Sequence, residues 1–157
     1  METTQPAMKE LKHMFVEQTE KTPLVDFNNL TGELILSGRS IPINAPRIFE
    51  PILEWVNNYI KDPRPTTNLR LNLEYFNTAS SIWLAKIVKA LTNIEKQDCV
   101  LFLHVYFSLE DFDDIDDIKD DLSPVIDVVS NSKVSVGLKI YGTDEAGKIM
   151  KESMIFI

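Results

Sequence analysis

The N-terminal third of the chain alternates short apolar runs with clusters of turn formers. Leu11–Val16 predicts a short strand. Pro23–Phe27 and Glu33–Ser37 flank Asn28-Asn29-Leu30-Thr31-Gly32, so they predict a hairpin, with Gly38 ending its second strand. A helix follows. Asn44 can cap it, Pro46 suits a first turn whose N–H groups lack helical partners, and Lys61-Asp62-Pro63 closes it. Phe49, Ile52, Leu53, Val56 and Ile60 recur at the three-and-four spacing of one buried face.

Beyond the polar loop Asp62–Thr67, Leu69, Leu71, Leu73 and Tyr75 alternate with Arg70, Asn72, Glu74 and Phe76, which predicts a strand buried on the first set. Asn77-Thr78-Ala79-Ser80-Ser81 breaks the alternation. Leu84, Ile87, Val88, Leu91 and Ile94 then mark a second helix, and Val100–Phe107 reads as a central strand covered on both sides. Strand, helix and strand in succession form a βαβ unit with a right-handed crossover. Phe112, Ile115, Ile118 and Leu122 predict a short amphipathic helix with an acidic outer face over the dense run Glu110–Asp121. Lys133–Tyr141 reads as a further strand, paired as a hairpin with Lys148–Ile157. The expectation is α/β: one mixed sheet flanked by helices, with residues 1–10 a loose arm and 11–157 a single domain.

A chain of 157 residues can bury a core without disulfides or metal. Sixteen Lys and Arg against 24 Asp and Glu leave a net charge of −8, which opposes general binding of nucleic acid or an anionic membrane. Cys99 is the only cysteine, and His13 and His104 lie far apart, so neither a disulfide nor a structural zinc site is expected. Met1–Gln18 lacks the apolar core of a signal peptide, and no apolar run approaches bilayer-spanning length. Asn29-Leu30-Thr31 fits a glycosylation sequon by chance. The expected location is the cytoplasm.

Few segments carry chemistry. Gly142–Lys148 has the glycine and lysine spacing of a phosphate-binding loop, but Ile149 replaces the magnesium-holding hydroxyl, and Asp144 and Glu145 would repel phosphate. A hairpin turn is the better reading. The acidic run lacks the glycine of a calcium loop and reads as a solvated helix face, able to bind a basic partner. His104, within an apolar strand, reads as a hydrogen-bonded core histidine. No catalytic constellation, metal site or cofactor motif emerges, so an enzyme is not expected. Asn77–Ser81 differs in kind. Asn77 or Thr78 can cap the helix that follows. A phosphoryl group there would also meet free N–H groups and the positive end of the helix dipole, and would change the surface offered to a partner. Caps are far commoner than switches, and the two roles are compatible.

Several blocks then carry a resemblance: Glu20-Lys21-Thr22-Pro23, Thr31-Gly32-Glu33-Leu34, Ser37-Gly38-Arg39-Ser40, Pro51-Ile52-Leu53-Glu54-Trp55 and Leu73-Glu74-Tyr75-Phe76-Asn77-Thr78. In sequence and order they resemble the SiaC family of bacterial regulatory phosphoproteins, over roughly Phe15 to Phe107. The resemblance implies an anti-sigma-factor-antagonist (STAS-like) fold and a non-enzymatic switch set by a Ser/Thr kinase and a PP2C-type phosphatase. It implies that the unphosphorylated form binds and activates a diguanylate cyclase, promoting cyclic-di-GMP signalling and biofilm formation. The phosphorylated threonine carries over to Thr78, with Asn77, Ser80 and Ser81 shaping its loop. Ala79 stands where a further hydroxyl is common, and the acidic segment and C-terminal hairpin lie outside the resemblance. The alternative is a constitutive module whose acidic helix, 111–121, binds a basic partner.

Overall fold

The computed structural model describes residues 10–156, with side chains described for all of these except 115–119, 121, 155 and 156. The arm expected at 1–10 lies almost wholly outside them. Seven strands form one sheet: β1 (Met14–Val16), β2 (Leu24–Phe27), β3 (Glu33–Ser40), β4 (Thr66–Phe76), β5 (Val100–Ser108), β6 (Ser135–Thr143) and β7 (Ile149–Phe156). The helices are α1 (Ala45–Tyr59), α2 (Thr78–Leu91), α3 (Leu109–Asp113) and α4 (Ile115–Val129). Spatial order follows chain order, β1 to β7. β3 to β6 run parallel, and antiparallel partners extend both sides: β1 and β2 beside β3, and β7 beside β6.

Every parallel connection steps one strand in the same direction. Right-handed crossovers therefore put all the connecting helices on one face. The burial pattern agrees. Leu34, Leu36, Leu69, Leu71, Leu101, Leu103, Val136 and Leu138 share a core with Phe49 and Val56 of α1, Leu84 and Val88 of α2, and Leu122 and Val125 of α4. Covering β5 on both sides is therefore corrected: helices cover one face of it. Its other face carries Phe102, His104 and Tyr106, whose rings close over one another and over Tyr141.

Most predicted elements occur where periodicity places them. Asn44 caps α1, its side chain accepting from the Arg47 N–H at 3.4 Å, with Pro46 in the first turn. The Gly142–Lys148 segment is a hairpin turn, in which Asp144 Oδ1 accepts from the N–H groups of Ala146 and Lys148, both at 2.9 Å, and Gly147 takes φ +82°. The acidic segment departs from expectation. It forms two helices broken at Asp114, and the second runs on to Val129 through Pro124. Pro124 cannot donate to the Asp120 carbonyl four residues back; the Ser123 hydroxyl donates to it instead, at 3.1 Å. Phe112 is half-buried and Leu122 buried, as the helical spacing requires, while the side chains of Ile115 and Ile118 lie outside those described.

Two further corrections concern the strand ends near Asn77. β3 does not stop at Gly38 but continues to Ser40. Gly38, at φ +96°, marks a register shift: Gly38 pairs with Leu73 while Arg39 pairs with Tyr75, leaving Glu74 as the extra residue. Such a bulge reverses the in-and-out alternation beyond it. Tyr75, expected on the buried face, is therefore 62% exposed, and Phe76 turns toward the helical side.

Candidate functional site

β4 leaves the sheet through Asn77, whose extended backbone ends the strand and whose side chain starts α2. Asn77 Oδ1 accepts from the Ser80 N–H at 2.9 Å, satisfying one of the donors a helix start leaves open. The loop is also tied to the neighbouring strand. The Asn77 N–H donates to the Ser40 carbonyl at 3.0 Å, and the Ser80 hydroxyl reaches the same carbonyl at 2.8 Å and the Ser40 hydroxyl at 2.7 Å. Ser40 and Ser80 are wholly buried. The Ser81 hydroxyl turns back onto the Thr78 carbonyl at 2.9 Å.

The hydroxyls of the block thus divide. Ser80 is buried and engaged, and Ser81 is bonded within its own helical turn. Thr78, the first residue of α2, is exposed, and its hydroxyl makes no hydrogen bond to another described residue. No acidic side chain occupies the first turn of α2. A phosphate on Thr78 would meet the open N–H groups and the positive helix end, with no carboxylate in that turn to oppose it.

Exposed apolar side chains flank this threonine along the chain. Ile82, one turn further along α2, is exposed, as are Tyr75 and Phe76 just before the cap. Across the Ser40 contact the chain goes on through Ile41 and Ile43, the latter 90% exposed. Arg39 lies over the Tyr75 ring, 5.4 Å from its centre, and pairs with Glu74 at 3.6 Å. Sequence reasoning named Asn77, Thr78, Ser80 and Ser81, and the structure brings them together. It missed Ser40, Ile41, Ile43 and Ile82. Only Ile82 left a sequence signal, its four-residue spacing from Thr78 on one helix face.

The remaining chemical candidates serve the fold. His104 is 3% exposed, with Nδ1 2.8 Å from the Tyr141 hydroxyl and Nε2 2.7 Å from Asn68 Oδ1. Asn68 Nδ2 donates to Glu33 at 3.2 Å, which turns its oxygen toward the ring, so His104 donates from Nε2 and accepts at Nδ1 as a neutral imidazole. Burial, with Arg70 and Lys139 nearby, lowers its pKa to about 4. Arg70 binds Glu33 at 2.8 Å and Tyr106 at 2.8 Å, and the Glu33 hydrogen bond raises its pKa further. His13 pairs with Asp26 near the first strands. Among the described residues no three His, Cys, Asp or Glu gather to hold a metal ion, and no helix is long and apolar enough to cross a membrane.

A one-sheet α/β fold with helices on one face that presents the exposed Thr78 hydroxyl at a helix start, beside exposed apolar side chains, suits a regulatory protein-interaction class. Residues 16–131 match the family model described as SiaC family regulatory phosphoprotein, and the chain belongs to that family. The matched span runs through both acidic helices, so the acidic segment lies inside the family pattern rather than beyond it. An uncharacterized protein of Pseudomonas aeruginosa (strain UCBPP-PA14) is 29% identical over 70 residues, 45% of this chain and 56% of the relative; the chain thus matches a little over half of that relative's length. Apo-SiaC of Pseudomonas aeruginosa has a similar fold, with TM-score 0.63 at 18% identity over 81% of this chain and 98% of that one. A structure of the diguanylate cyclase SiaD in complex with its activator SiaC, also from Pseudomonas aeruginosa, aligns at TM-score 0.64 and 18% identity over 82% of this chain and 99% of that one.

Proposed function

We propose that this protein is a non-catalytic signalling switch. A Ser/Thr kinase adds a phosphoryl group to Thr78, a PP2C-type phosphatase removes it, and the unphosphorylated form binds and activates a partner in the cytoplasm. The observation that carries this reading is the isolation of the Thr78 hydroxyl: exposed, without a hydrogen-bond partner among the described residues, and flanked along the chain by exposed Tyr75, Phe76 and Ile82. A diguanylate cyclase is the proposed partner. Membership of the SiaC family and the fold shared with a SiaC solved beside a cyclase support it. Cyclic-di-GMP output and biofilm formation would follow.

The mechanism is desolvation and bulk. A phosphate carries about −1.5 to −2 charge at neutral pH and three strong acceptors. Seated among Tyr75, Phe76 and Ile82 under a partner it would lose water while none of these side chains offers it a cation, at a cost of several kcal/mol, enough for a hundredfold or greater loss of affinity. On the free protein it remains hydrated beside the first-turn N–H groups, so folding tolerates it. Asn77, Ser80 and Ser81 hold the loop that presents Thr78.

Titration of a diguanylate cyclase with the phosphorylated protein, with Thr78→Ala and with Thr78→Glu tests the proposal. Thr78→Ala should bind as tightly as the unmodified chain, and the phosphorylated form at least tenfold more weakly. Equal affinity of phosphorylated and unmodified protein would overturn it.

A further inference from the structure

Beside the Thr78 surface an open crevice of about 1180 Å³ runs along the carboxyl ends of the parallel strands. Leu73, Phe76, Tyr106 and Phe107 are part of its otherwise largely polar lining. The same four side chains border a smaller cavity of about 40 Å³ that goes deeper, between α2 and α4, closed by Leu84, Leu122 and Val125. An apolar socket therefore adjoins the crevice. Its volume exceeds the roughly 10–15 Å³ that a single water takes on this measure, and its nearly unbroken hydrocarbon lining suits an apolar side chain better than water.

The described charged residues of the crevice rim share one sign. Glu74, Asp111, Asp114, Asp120, Asp144 and Glu145 line it, and among the described residues no Lys, Arg or His does. These carboxylates come from four separate elements: β4, the two acidic helices with their break, and the β6–β7 turn. Arg39 answers Glu74 from outside the crevice, Asp144 Oδ1 is occupied by backbone N–H groups, and Asp114 is likewise engaged. An apolar socket adjoining a crevice whose described charged residues are all acidic matches an occupant with an apolar anchor flanked by cations.

We propose that this crevice docks a basic segment of the partner protein, one aliphatic or aromatic side chain entering the socket and neighbouring Lys or Arg facing the carboxylate rim. This deepens the reading of Thr78 as the centre of a partner surface, and rests on it. Phe76 joins the two surfaces, being exposed beside Asn77 and bordering the socket. The carboxylates of the β6–β7 turn lie two strands from β4, roughly 10 Å at ordinary strand spacing. Phosphate on Thr78 thus acts chiefly on the apolar contacts, while the far rim acts on the partner's cations.

The test uses the full chain carrying Thr78→Ala and three labelled synthetic peptides in fluorescence-anisotropy titrations: Lys-Lys-Leu-Phe-Lys-Lys, the same peptide with Ser-Gly for Leu-Phe, and Glu-Glu-Leu-Phe-Glu-Glu. The anchored basic peptide should bind at least tenfold more tightly than either control and weaken with salt. The triple variant Asp111→Asn, Asp144→Asn, Glu145→Gln should lose roughly tenfold in affinity and most of the salt dependence. Ser81→Leu, which fills the socket mouth, should erase the preference for Leu-Phe, with its thermal melt reporting folding; the exposed triple variant keeps the proposal testable if it does not fold. No binding at millimolar peptide, equal binding of the acidic peptide, or indifference to the rim variant would overturn the proposal. So would a salt-sensitive dimer in sedimentation that the rim variant abolishes, which would assign the crevice to a second copy. Phosphorylation plays no part in these titrations, so their failure leaves the Thr78 switch standing, and failure of the switch leaves them readable.

Discussion

The buried Ser80 hydroxyl donates to the Ser40 carbonyl at 2.8 Å, fastening the first turn of α2 to the end of β3 across forty residues of sequence. That contact fixes where Thr78 points. It also separates two serines that composition alone would leave equivalent to the threonine, since a buried, bonded hydroxyl is closed to a kinase and an exposed, unbonded one is open.

Replacing Ser80 by Ala leaves Ser40 without its side-chain partner in a buried position. Stability should fall by about 1–3 kcal/mol in urea denaturation. The loop should loosen with it, so amide exchange at Thr78 and Ser81 should rise more than at β5.

Asn77→Ala removes the cap on α2 and should cost about 1 kcal/mol. Asn77→Asp should retain most of that stability, since a carboxylate also accepts from the Ser80 N–H and suits the helix start. Chemical denaturation of the three proteins side by side checks both.

Ile82→Glu places a charge on the exposed apolar patch, one helical turn from Thr78. Folding stability should change by no more than about 0.5 kcal/mol, as for other surface substitutions. Partner affinity should fall at least tenfold, as though Thr78 were phosphorylated. Unchanged affinity would remove Ile82 from the interface.

His104 makes stability depend on pH. Its pKa in the fold, about 4, lies below its ordinary value of 6.5, so between these values the unfolded chain binds the extra proton. The histidine contribution is therefore complete above about pH 6.5 and is lost as pH falls toward 4, by roughly 3 kcal/mol in all. His104→Gln should flatten that part of the stability profile, leaving the slope due to carboxylates. An identical slope in both proteins between pH 4 and 6.5 would contradict the neutral, buried assignment.

The elements legible in the sequence are those whose signal is local. Hydrophobic spacing marked α1, the β4–α2–β5 unit and both hairpins, and Asn77 was readable as a cap from the turn it opens. Tyr75 was misplaced because one bulged residue, Glu74, reverses the alternation that placed it, and the bulge comes from pairing with β3. Trp55 and Tyr59 were left off the buried face of α1, although both are buried and stacked at 5.3 Å. The acidic run hid a helix break at Asp114, because the apolar spacing continues across it. Ser40, Ile41 and Ile43 stayed invisible as site residues, since only the tertiary contact to Asn77 and Ser80 brings that part of the chain to Thr78.

Phosphopeptide mapping of the protein isolated from its native cells tests the central claim most directly. Trypsin cutting after Arg70 and Lys86 releases Leu71–Lys86, which carries Tyr75, Thr78, Ser80 and Ser81 on one peptide. Fragmentation should place the phosphate on Thr78 and on none of the other three. Phosphate on Ser80 or Ser81 with Thr78 unmodified, or no phosphate on the peptide under any growth condition, would contradict the account.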